Sequence, residues 1–313
     1  MRDARHRPEW WILLLLFLLG IMTVATFMAR PQQPVAQQEK QTSPTDYAGS
    51  EACASCHEDL YQKFQKNPHQ LLETHPKKGW QKKSCEACHG PGAIHVETGD
   101  AEKVVGFSRA TAQQITTRCL NCHARMDQHA GFASGAHGRN QVACTDCHNI
   151  HEPRQSVHLW AVKSDQLCVR CHRDNLVAFN KPYRHRLHEG AIHCVDCHQP
   201  HGGLNPRQVR LANGNEVACV KCHTDKRGPF VYEHPPLRME GCTACHEPHG
   251  SNNAKLLTRN RVAQLCLECH SMSTGTLASQ PPSFHDLRSP RYQNCTTCHL
   301  RIHGSNASPQ FLR

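Results

Sequence analysis

One long apolar run interrupts an otherwise polar chain. From Trp10 to Ala29 (WWILLLLFLLGIMTVATFMA) no position carries a charge. A helix of that length spans a bilayer core of about 30 Å. Arg2, Arg5 and Arg7 precede it and would stay on the cytoplasmic side. Two readings stand. The run is an uncleaved anchor, or it is a cleaved signal longer than the usual core of about 7–15 residues, ending at Ala25 or Ala29. It contains no cysteine, which excludes a lipoprotein anchor. Residues 30–47 (RPQQPVAQQEKQTSPTDY) are rich in Gln and Pro and read as a flexible tether. Beyond Ala48, apolar residues are sparse. No segment alternates with the period of a strand, and helical candidates are confined to 51–66, 109–124 and 261–271. Proline and glycine punctuate nearly every stretch. The pattern predicts short α-helices and long loops with little or no sheet. It also predicts three regions: 1–29, an anchor or signal; 30–47, a linker; and 48–313, one cofactor-rich domain.

Composition explains how so polar a domain could fold. The chain has 20 Cys and 26 His in 313 residues, against 9 Phe, 4 Trp and 5 Tyr. Every cysteine falls in a Cys-x-x-Cys pair followed directly by histidine. The pairs are Cys53/Cys56, Cys85/Cys88, Cys119/Cys122, Cys144/Cys147, Cys168/Cys171, Cys194/Cys197, Cys219/Cys222, Cys242/Cys245, Cys266/Cys269 and Cys295/Cys298. Cys-x-x-Cys-His is the attachment motif of c-type haem: the thiols become thioethers and the histidine an axial ligand of the iron. Zinc is the competing assignment, but zinc ribbons do not require a histidine after the second cysteine. With histidine at about 8% of residues, ten such histidines by chance have a probability on the order of one in 10¹¹. The cofactor expected is therefore ten covalent haem c groups, with His57, His89, His123, His148, His172, His198, His223, His246, His270 and His299 as proximal ligands. Haem attachment in this form belongs outside the cytoplasm, where thiols must be kept reduced until they react.

The motifs form a repeat. Pairs beginning at Cys85, Cys144, Cys194, Cys242 and Cys295 alternate with pairs beginning at Cys119, Cys168, Cys219 and Cys266, each set recurring about every 50 residues. A period of that size predicts an elongated array of two-haem units, each touching mainly its neighbours. Further histidines recur with the repeat. His151, His201, His249 and His303 follow attachment motifs closely, as in CHNIHEP, CHQPHG and CHEPHG. A residue three positions after the proximal histidine lies about 5–6 Å from it if helical, too close to reach the opposite face of the same porphyrin. Each is expected to serve a neighbouring haem. His95 follows a motif at longer spacing, and His69, His137, His185, His234 and His285 lie upstream of the motifs. These ten are the distal candidates. His75, His129, His158, His188 and His193 are spare, and RHRLHEG leaves His185 and His188 as alternatives.

These features resemble the decahaem c-type cytochromes of the MtrA and DmsE type, from about Tyr47 to the C-terminus. The resemblance rests on the ten motifs, CHGPGAIHV, the CH-x-PHG segments at 197–202 and 245–250, KRGPFVYEHPPLR at 226–238, and RIHGSN at 301–306. It implies bis-histidine ligation throughout and favours His185 over His188. It also implies a place on the periplasmic side of the envelope, with an outer-membrane β-barrel porin-like protein as partner. Periplasmic or inner-membrane cytochromes would be donors or acceptors, and an extracellular multihaem cytochrome a third candidate partner. The apolar N-terminus and its tether depart from the family, looking more like a membrane anchor than a cleaved signal.

A haem with histidine on both faces has no open position for substrate and suits electron transfer rather than catalysis. The alternative to a barrel-inserted conduit is an inner-membrane-anchored periplasmic carrier; a multihaem reductase would need an open iron. The net charge of +10 does not imply nucleic acid. Ten haems add about twenty propionate charges and, when ferric, about ten positive core charges, leaving the oxidised holoprotein near neutral. No nucleic-acid motif or phosphate-binding glycine loop accompanies the charge.

Overall fold

The computed structural model describes residues 46–203, 205–210, 218–270, 285, 287 and 289–312. The apolar run at 10–29 and nearly all of the tether lie outside these residues. No described helix is long and apolar enough to cross a membrane.

The described chain is a succession of short helical turns joined by loops, and the only β-pairing among these residues is isolated bridges. The helix read from 109–124 is present as Ala112–His123, with a capping box. The Gln114 N–H donates to Thr111 Oγ1 at 3.2 Å, and the Thr111 N–H donates to Gln114 Oε1 at 2.8 Å. Such reciprocal bonds satisfy two of the amides a helix start leaves open. The candidate at 51–66 is broken into Ser50–Ala54 and Glu58–Phe64, because His57 leaves helical geometry at φ −113°, ψ 43°. The third candidate is Val262–Leu267. Several attachment motifs make only one turn, as in Cys144–Cys147 and Cys194–Cys197.

The apolar interior is thin. Among the described residues only Ile115, Phe132, Ala143, Leu159, Phe179, Leu187 and Ala218 are buried hydrophobics. Near the start of the domain, polar groups do the packing instead. Glu86, 2% exposed, accepts N–H bonds from Ala48 at 2.9 Å, Gly49 at 3.0 Å and Gly92 at 2.7 Å. Glu73 accepts from the Ser50 hydroxyl at 2.7 Å and the Ser84 N–H at 3.2 Å. The two carboxylates tie the entering chain to the second attachment helix, Ser84–His89, and satisfy amides that would otherwise be buried without partners.

Two local devices recur with the repeat. The first is a loop that folds back on an attachment histidine, through bridges between His148 and Trp160, His198 and Val209, and His246 and Leu257. Each loop contains two consecutive non-glycine residues at positive φ: His158 and Leu159, Arg207 and Gln208, Lys255 and Leu256. The second joins one unit to the next. Tyr183 pairs with Ser251, and Tyr232 with Ser305, by reciprocal backbone bonds of 2.8–3.2 Å. Glycine is required at this junction. A Cβ on Gly202 would lie 2.2 Å from Gly131 O, one on Gly250 2.1 Å from Ala178 O, and one on Gly304 2.1 Å from the Phe230 ring.

Candidate haem sites

The attachment cysteines lie beside one another in sequence order. The first cysteines of neighbouring motifs interact pairwise: Cys53 with Cys85, Cys119 with Cys144, Cys168 with Cys194, Cys219 with Cys242 and Cys266 with Cys295. Second cysteines link the remaining neighbours: Cys88 interacts electrostatically with Cys122, Cys147 with Cys168 and Cys171, Cys197 with Cys219 and Cys222, and Cys245 with Cys269. Contacts through first and second cysteines therefore alternate along the ten motifs.

The two cysteines of a motif differ in exposure. All ten first cysteines are half-buried, whereas Cys56, Cys122, Cys171, Cys197, Cys222, Cys269 and Cys298 are exposed.

The histidines fall into ten pairs, each joining one attachment histidine to one of the ten distal candidates. Ring centroids are separated by 6.4 Å in His57–His95, 5.9 Å in His89–His151, 6.0 Å in His123–His69 and 5.9 Å in His148–His201. They are 6.0 Å apart in His172–His137, 5.9 Å in His198–His249 and 6.2 Å in His223–His185. The last three pairs are His246–His303 at 6.1 Å, His270–His234 at 6.1 Å and His299–His285 at 6.3 Å. Two imidazole nitrogens each about 2 Å from one metal, plus a ring radius of about 1.1 Å on either side, require centroids about 6 Å apart. The spacing suits an iron between each pair.

The hydrogen bonds select the tautomer an axial ligand needs. His148 Nδ1 donates to His158 O at 2.6 Å, His198 Nδ1 to Arg207 O at 3.0 Å, and His246 Nδ1 to Lys255 O at 2.8 Å. These acceptors are the first members of the positive-φ pairs, so the folded-back loop exists to present a carbonyl to the ring. His89 and His299 find equivalent acceptors in Val105 O at 2.7 Å and Gln310 O at 2.6 Å. In other pairs the distal ring is anchored: His95 on Asp100 O at 3.0 Å, His137 on Pro200 O at 2.9 Å and His185 on Pro248 O at 2.7 Å. His69 Nδ1 meets Asn67 Oδ1 at 3.1 Å. A carbonyl can only accept, so Nδ1 carries the proton and Nε2 keeps its lone pair for a metal.

Burial keeps these rings neutral, as a metal ligand must be. It pushes the pKa of His69, His148, His151, His234 and His249 below the ordinary range, and takes His201 and His303 down to about 4.

His185 occupies the pair with His223, whereas His188 is exposed. The closely following histidines indeed face other motifs: His151 meets the histidine of Cys85/Cys88, His201 that of Cys144/Cys147, His249 that of Cys194/Cys197, and His303 that of Cys242/Cys245. Each crosses one unit backwards. The carbonyl acceptors and the glycine contacts were not foreseen from the sequence. Main-chain acceptors have no residue signature, though the glycine after each of His201, His249 and His303 was visible in the repeat.

Residues 129–176, 185–228 and 234–274 match the family described as the doubled CXXCH motif. The multihaem cytochrome MtrA of Shewanella baltica is 32% identical over 296 residues, covering 88% of this chain and 85% of that one. The C-type polyhaem cytochrome OmcB of Geobacter sulfurreducens is 25% identical over 241 residues, which is 72% of this chain but 25% of OmcB. A cytochrome c-552 of Aliarcobacter butzleri is 30% identical over 131 residues, 39% of this chain and 24% of its own length. Motif, histidine geometry and the extent of the first of these likenesses together establish that the chain belongs to the MtrA family of multihaem c-type cytochromes, electron-transfer proteins that carry haem c covalently.

Proposed function

We propose that the chain binds ten haem groups, one on each Cys-x-x-Cys-His motif, and conducts electrons along them across the outer membrane within a porin-like β-barrel partner. The observation that carries this reading is the complete set of ten imidazole pairs at 5.9–6.4 Å, one for each motif. Within each pair the attachment histidine is the proximal ligand and its partner the distal one. Bound haem supplies a one-electron iron couple, and two imidazoles per iron leave no axial position for a substrate.

The residues of the chain then have three tasks. The thioether cysteines attach the cofactor. The half-buried first members, which meet in neighbouring pairs, set the spacing of adjoining sites. The paired imidazoles hold each iron six-coordinate. The carbonyls bonded to Nδ1 fix ring orientation and make the imidazole a stronger donor, which favours the oxidised iron. Because His151, His201, His249 and His303 each meet an attachment histidine of the unit before, those neighbouring sites are held in register by the same residues that ligate them.

The likeness to MtrA along most of both chains supports a periplasmic position at the outer membrane, with periplasmic or inner-membrane cytochromes on one side and an extracellular acceptor or cytochrome on the other. The division into 1–29, 30–47 and 48–313 belongs to the same proposal. The apolar run from Trp10 to Ala29 favours a second reading, a periplasmic relay tethered to the inner membrane. Mild detergent purification of the haem-loaded protein from separated membranes distinguishes them. The conduit predicts a stoichiometric β-barrel protein in the outer-membrane fraction. Recovery from the inner membrane without a barrel would replace the conduit by the relay.

A further inference from the structure

His129 is a histidine that the ten pairs do not use. Of the five spare histidines, His75, His158, His188 and His193 are exposed, whereas His129 is half-buried among the ligand candidates. Its ring centroid lies 5.6 Å from His123, at an interplanar angle of 61°, and 4.3 Å from His201. Its Nδ1 is buried without a hydrogen-bond partner. A tight turn holds the ring in place: the His129 N–H donates to Met126 O at 2.8 Å, and His129 O accepts from the Phe132 N–H at 3.0 Å.

His123 thus has two imidazoles at almost equal distance, His69 at 6.0 Å and 67°, and His129 at 5.6 Å and 61°. They differ in where they come from. His129 sits six residues beyond His123, in the loop that its own helix feeds. His69 belongs to the half-unit at the start of the domain. That half-unit meets the fourth motif's loop through a Lys63–Glu152 ion pair and a bond from the Asn67 amide to Ile150 O. The ion pair is about half exposed, and such pairs contribute little.

Resting on the bis-histidine reading above, we propose that His129 is a second axial ligand for the haem iron at Cys119/Cys122, taking the place of His69 when that residue is withdrawn. In the exchange the bond from iron to His69 Nε2 breaks and one from iron to a His129 ring nitrogen forms. Both imidazoles are neutral, so no proton moves, and the iron keeps its oxidation state. The site would stay six-coordinate even when the N-terminal half-unit shifts, which would confine any disturbance at the start of the array to its first haem.

The test counts high-spin ferric haems by electron paramagnetic resonance in the full haem-loaded chain. His137→Ala, at a site without a nearby spare histidine, is the reference and should produce one high-spin haem. His69→Ala should produce none, and His69→Ala/His129→Ala should produce one. A high-spin haem in the His69→Ala single variant, or none in the double variant, overturns the proposal. Absence of a high-spin haem in His137→Ala would instead overturn the ligation reading on which it rests, and the proposal with it. Should His69→Ala fail to mature, His69→Met keeps the side-chain bulk. It should retain a bis-histidine spectrum, and a histidine–methionine charge-transfer band would overturn the proposal.

Discussion

A histidine three residues after an attachment histidine is a question about which iron it can reach. Distance alone excludes its own haem, and the structure places His151 5.9 Å from His89. His151→Ala should therefore open the iron at Cys85/Cys88 and leave the haem at Cys144/Cys147 six-coordinate. Magnetic circular dichroism should show one high-spin ferric haem, with mass spectrometry still finding haem on both motifs. Loss of haem from Cys144/Cys147 would refute the pairing. That each attachment histidine would have a histidine partner was legible because the first set is fixed by the motif and the second recurs with the repeat. Who pairs with whom was not. His89 and His151 meet only because two units fold against each other, and nothing local to either residue encodes that. His185 and His188 show the same limit. Both stand in RHRLHEG, and the choice is made by Pro248 O, 63 residues away, accepting from His185 Nδ1. The cysteines were legible as attachment residues but not in their burial: the first of each motif is half-buried, and seven of the second are exposed.

The attachment motif interrupts some helices and closes others, as at His57 and at His123. The candidate at 51–66 carries good helix formers, yet it breaks at His57, whose backbone turns out of the helix. Propensity is a weak prior that tertiary demands override. The folded-back loops are the element that no pattern revealed. Two consecutive non-glycine residues at positive φ cost about 1–2 kcal/mol each, and nothing in the residues of Lys255–Leu256 announces them. The strain is offset by what the loop delivers, a carbonyl aimed at His246 Nδ1. Lys255→Pro, with φ fixed near −65°, cannot hold that geometry. It should remove a hydrogen bond worth about 1 kcal/mol, weaken His246 as a donor and raise the reduction potential of the haem at Cys242/Cys245. Lys255→Gly keeps the carbonyl in place, relieves the strain and should leave that potential unchanged. Spectroelectrochemical titration of the two variants separates anchoring from simple disruption: equal shifts in both would show that the carbonyl has no electronic role.

At the scale of the whole domain, what is missing from the core is as informative as what is present. A chain of this length usually buries a large apolar interior, but among the described residues seven hydrophobic side chains do so, two of them alanines. Large apolar residues such as Val177, Val231 and Met239 are 65–82% exposed on the protein's own surface. Among the described residues the backbone offers no sheet to compensate, and the helical turns are too short to be stable alone. What orders such a chain must come from groups that bridge it, and the paired histidines of successive units are placed to do so once an iron lies between them. The polarity of the sequence made this legible in outline: so few aromatics and so many haem motifs already implied a core supplied by cofactor. The interlock, with each unit ligating the one before it, makes the dependence cooperative. Metal-linked domains of this kind fold with their metal and unfold without it. Produced without haem attachment, with its thiols kept reduced, residues 48–313 should show far-UV circular dichroism near that of an unfolded chain, no cooperative thermal transition, and digestion by trypsin under conditions the haem-loaded protein survives. A cooperative transition in the haem-free chain would mean that the polypeptide holds its own fold, and that the histidine pairs are arranged before the iron arrives rather than by it.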